Sequence, residues 1–131
     1  ADLMPWAQAA QQPLCLLTPD MHNRQIVDRS FGSVGVVVQP AMETNSVQAL
    51  LQAVSEGQMA SIVPGAVLAT VRHTPGLRAW PLVEPVVESE VAFLYQQSQQ
   101  AMPAIEAARA LMAQTDWQAQ CLQHAGALQA R

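Results

Sequence analysis

The sequence has no lysine, and its six basic residues are all arginines, scattered from Arg24 to Arg131. Only 12% of the 131 residues are charged, and the net charge is −4. A protein that grips nucleic acid by itself carries a basic stripe, because phosphate neutralisation supplies most of its affinity. The scattered arginines exclude that class for these residues. Cysteine is scarce too: Cys15 and Cys121 stand far apart, with neither a disulfide framework nor a zinc spacing. They read as buried free thiols in a reducing compartment. Long apolar runs are missing as well. The uncharged stretch Gly57–Val71 is too short to span a bilayer and contains Pro64 and Gly65. Residues 1–12 lack the basic start and apolar block of a secretion signal. A cytoplasmic protein without membrane contact is expected.

Hydrophobic residues make up 50% of the chain, which excludes intrinsic disorder. With so little charge to cover a surface, part of that surface is expected to meet a partner or further chain. The length fits one domain, or one lobe of something larger.

Short apolar runs alternate with helical patterns. Pro13–Leu17 reads as a buried strand ending in the turn Thr18-Pro19-Asp20, and Asn23–Phe31 as a helix closed by Gly32 and Gly35. The β-branched run Val34–Gln39 predicts a strand covered on both faces. Val47, Leu50, Leu51 and Val54 share a helical face, with Asn45 as the expected N-cap, Gln48 completing a capping box, and Gly57 as the stop. Met59–Val63 predicts a third strand, Ala66–Arg72 a short helix, and Leu77–Val83 a fourth strand. Val86–Tyr95 reads as an extended crossing segment, Gln96–Gln100 as a connector, and Pro103–Leu122 as a helix before a frayed tail from His124. Residues 1–12 suggest a lead-in with no strand pattern. The alternation implies an α/β fold: a mostly parallel sheet with helices on both faces.

Two strand-to-helix turns carry the chemistry. In open α/β sheets ligands sit at the carboxyl ends of strands, where helix N-termini offer free N–H groups. Thr44, Asn45 and Ser46 add hydroxyl and amide groups at the first turn, which suits a small anion or organic acid. Each of the three, taken singly, is also explained as a helix cap. At the second turn, Pro64 and Gly65 permit close backbone approach. His22, His73 and His124 are isolated, and no nucleophile, acid–base pair or metal spacing emerges. Glu88 and Glu90 alternate along one extended face and read as solvated strand positions. No enzyme and no cofactor are expected.

The residues Glu43-Thr44-Asn45-Ser46, then Ala49-Leu50, then Val54-Ser55-Glu56-Gly57-Gln58-Met59-Ala60-Ser61-Ile62-Val63-Pro64 resemble the effector-binding domain of LysR-type transcriptional regulators. The family pattern opens a helix with an acidic and a hydroxyl residue, then runs Val-x-x-Gly-x-Gly-Ile-Ala-x-Leu-Pro. Met59 stands at its second glycine and Ala60 at its isoleucine. The resemblance covers Pro13–Leu122. It implies one lobe of a fold like the type-2 periplasmic binding proteins, with a small-molecule co-inducer held between two lobes. Residues 13–85 would be the second lobe, residues 86–131 the return crossover strand and C-terminal helix of the first, and residues 1–12 a linker or crossover lead-in. It also implies that Glu43, Thr44, Asn45 and the backbone around Pro64 face the effector. The family assembles as homodimers or homotetramers and meets DNA only through an N-terminal domain outside these residues. Two alternatives stand beside it: a lobe of a transporter-associated solute-binding protein, and an oligomerisation module without ligand.

Overall fold

A computed structural model of the chain describes residues 2–89, 92–97, 100, 102–117 and 119–120. Along these residues run β1 (Met4–Pro5), α1 (Trp6–Ala9), β2 (Cys15–Leu17), α2 (His22–Ser33), β3 (Met42–Thr44), α3 (Val47–Ser55), α4 (Gly65–Val71), β4 (Leu82–Val83) and α5 (Pro103–Gln114). The fold is α/β, and its strand pairs are small and parallel.

β2 is the centre. It pairs with β3 in the register Cys15–Met42, Leu16–Glu43 and Leu17–Thr44. On its other side Leu14 makes a parallel bridge to Ala60. Side chains alternate across a strand, so β2 serves two cores. Leu14 and Leu16 pack with Trp6, Ala9, Val27, Phe31 and Ile62, while Cys15 and Leu17 pack with Leu50. Helices α1 and α2 therefore cover one face and α3 the other, as the alternation of patterns predicted.

Local chemistry explains the helices. Arg24, Val27, Ser30 and Phe31 form the buried stripe of α2, and its end is a Schellman motif around Gly35, whose φ is +74°. There Gly35 N–H donates to Gly32 O and Val36 N–H to Phe31 O, both at 3.0 Å. α3 stops in the same spirit at Gly57, φ +80°.

Several expectations are corrected. Val34–Gln39 forms no strand, and Val37 is 90% exposed. The strand lies a few residues on, at Met42–Thr44, because β2 offers its free edge there. Of Met59–Val63 only Ala60 bridges, and of Leu77–Val83 only Leu82 and Val83 pair, in the register Met4–Leu82 and Pro5–Val83. The described part of Val86–Tyr95 carries no regular element. Residues 4–9, which showed no strand pattern, build β1 and α1, and Trp6 is 3% exposed. α5 runs over Pro103–Gln114 and buries no residue; the expected helix is broken at Thr115 and Asp116, residues 117, 119 and 120 are helical again, and its last two residues lie outside the described residues. Cys121, His124, Arg131 and Glu90 lie outside the described residues.

Candidate functional site

The parallel register sends β2, β3 and the segment at Ala60 in one direction, so their carboxyl ends share one rim. Thr44 closes β3 there and Leu17 closes β2. Ile62–Gly65 follows the bridge on the far side of β2, about 10 Å from Thr44 by strand spacing. The two turns singled out in the sequence thus reach the same edge of the sheet, with β2 between them.

At the first turn the hydroxyls are already engaged in shaping the backbone. Thr44 Oγ1 accepts from Ser46 N–H at 3.1 Å, and Ser46 Oγ accepts from Ala49 N–H at 3.2 Å. Ser46 is therefore the N-cap of α3, in place of the expected Asn45. Asn45 is exposed, and Thr44 and Ser46 are half-buried. At the second turn Pro64 is exposed, Gly65 opens α4, and Ser61 Oγ donates to Cys15 O at 2.6 Å, tying that segment to β2.

Glu43 is placed differently from its neighbours. It shares a register position with Leu16, whose side chain belongs to the α1–α2 face. Its Oε2 accepts from Arg24 Nη1 at 2.7 Å. The same guanidinium donates to Leu17 O at 2.7 Å and, through Nε, to Asp28 Oδ1 at 2.8 Å. Arg24 is 7% exposed, and the two carboxylates beside it outweigh its desolvation and raise its pKa above the ordinary guanidinium value. Residue spacing sets Arg24 mostly off the apolar stripe of α2, whereas the structure buries it, because its acceptors lie on other elements.

Thr18, next after β2, donates its backbone N–H to Thr44 O at 3.1 Å. Its hydroxyl Oγ1 is enclosed with no hydrogen-bond partner. Cys15 is a free, fully buried thiol whose pKa is pushed up by burial, as befits packing rather than reactivity. Among the described residues no group of three His, Cys, Asp or Glu side chains could hold a metal ion, and no helix is long and apolar enough to cross a membrane. An open groove elsewhere is lined by Phe93, Tyr95, Glu106, Arg109 and Met112, none of which belongs to the rim.

Residues 1–117 match the model of the LysR substrate binding domain. The chain is 24% identical over 106 residues to a probable nitrogen assimilation transcriptional activator of Synechococcus elongatus, covering 81% of this chain and 34% of that protein. The chain thus spans about a third of the length of the curated relative it matches. No solved structure matches it. With nine-tenths of its length accounted for by one family model, the chain belongs to the LysR substrate binding domain family.

Proposed function

We propose that this chain is the effector-sensing segment of a bacterial LysR-type transcriptional regulator, and that its ligand is a small organic acid or anion. The observation that carries the reading is the shared rim: parallel strand ends delivering two turns to one edge. In α/β sheets that edge is where ligands bind. Thr44, Asn45 and Ser46 would supply hydrogen bonds at the amino end of α3, whose partial positive charge favours an anion. Pro64 and Gly65 would shape the opposite wall. Glu43 supports the rim from the far face through its bond to Arg24.

In this reading residues 13–85 are the second lobe of a periplasmic-binding-protein-like sensor. Residues 86–131 lead back to the first lobe, and residues 1–12 lead in. The co-inducer favours one lobe arrangement, shifts the population toward it, and so changes the packing of a homodimer or homotetramer. DNA is met by a separate N-terminal domain.

The test is a reporter driven by the intact regulator's own operator, screened against small organic acids. A response that Thr44→Val abolishes while operator binding persists is the expected result. An unchanged response in Thr44→Val refutes the assignment of the rim.

A further inference from the structure

Glu43 and Thr44 are consecutive, yet they serve opposite faces of the sheet. Thr44 pairs with Leu17 and bonds the Ser46 amide at the start of α3, whereas Glu43 pairs with Leu16 and bonds Arg24 of α2. A carboxylate one residue from Thr44 would, if free, place a negative charge beside a turn read as an anion site. Its bond to a buried arginine prevents that.

We propose that Arg24 is a positioning residue for the rim: it holds the Glu43 carboxylate on the α2 face and neutralises it there, leaving the Thr44–Ser46 turn fit for an anionic ligand. This rests on the anion reading of the rim given above. Arg24 is suited to the task because its fork spans three elements at once: Leu17 O on β2, Glu43 on β3 and Asp28 on α2. Asp28 shares this guanidinium at Nε, so two carboxylates sit on one cation, and Glu43 takes the Nη1 end together with Leu17 O. Arg24 also grips the last residue of β2, whose partner in the ladder is Thr44. The arginine that neutralises the acid thereby also fixes the strand end from which the turn departs.

The test uses the full chain, labelled with 15N. Paramagnetic relaxation from paired cationic and anionic nitroxide cosolutes reads the local potential at the amide protons of Asn45, Ser46 and Val47. Sodium sulfate and sodium acetate are titrated alongside at constant ionic strength. Arg24→Gln is expected to turn the potential at these amides more negative and to weaken both anions about tenfold. Adding Glu43→Gln to that variant is expected to restore both readings to within about twofold of the parent. Failure of the double variant to recover would mean that Arg24 acts on the fold alone, and overturns the proposal. Should Arg24→Gln not fold, Glu43→Gln alone decides, since Arg24 then keeps its bonds to Leu17 and Asp28. Loss of the carboxylate's negative charge should raise the potential and tighten anion binding about threefold, and no change in either overturns the proposal. If neither anion shifts these amides in the parent chain, the anion reading of the rim fails, while the potentials still decide what Arg24 does.

Discussion

Trp6 donates its indole N–H to Pro85 O at 3.0 Å, joining residues 79 positions apart. The same ring meets Phe31 edge to face, with centroids 5.1 Å apart. One side chain from the first turn of the chain therefore fastens the exit of β4 to the larger core.

Trp6→Phe keeps an aromatic ring in that core but removes the donor and shrinks the ring. A loss of about 1–2 kcal/mol is expected. Urea unfolding followed by circular dichroism should show a lower midpoint with an unchanged slope; a midpoint equal to the parent's would show that the Pro85 bond contributes nothing.

Ser46 and Asn45 separate the observed cap from the one the sequence pattern suggested. Ser46→Ala removes the acceptor for Ala49 N–H and should cost about 1 kcal/mol. Asn45→Ala, at an exposed position outside the cap, should cost less than about 0.5 kcal/mol. Equal losses in thermal unfolding would contradict the assignment of the cap.

The enclosed hydroxyl of Thr18 has no partner, so folding strips it of water without compensation. Thr18→Val preserves the shape and should leave stability unchanged or raise it by up to about 1 kcal/mol. A drop of that size would reveal a hydrogen bond that the hydroxyl makes in solution.

Cys15 carries the pH prediction. Its pKa is raised in the folded state by burial, so the folded chain holds this proton more tightly than the unfolded one. The corresponding stability is complete below the unfolded thiol value of roughly 8.5 and is lost as pH climbs through the folded value. Urea midpoints should fall in the alkaline range, and Cys15→Ala should flatten that fall while costing about 1 kcal/mol at neutral pH. Peptide-level mass spectrometry, which separates Cys15 from Cys121, should find Cys15 alkylated only at the rate of global unfolding.

Much of the α/β alternation was legible in the sequence because it depends on local signals. The stripe of α2, its glycine stop, the face of α3 and the buried run of β2 are written in residue spacing. The errors arose where long-range pairing decides. Val34–Gln39 has the stronger intrinsic β preference, but Met42–Thr44 is the segment that the edge of β2 takes up. Trp6, set among glutamines and alanines, is held by residues far along the chain, Phe31 and Pro85. The rim shows the same division. Both turns were recognisable from their residues, whereas the turning away of Glu43 required knowing that Arg24 is buried behind it.

Because β2 contributes alternate residues to both cores, neither packing can dissolve while the other persists. Deleting or inserting one residue within Leu14–Leu17 would exchange the two sets of side chains and spoil both sides together. The chain around β2 should accordingly melt as one cooperative unit, with its slowest-exchanging amides on that strand.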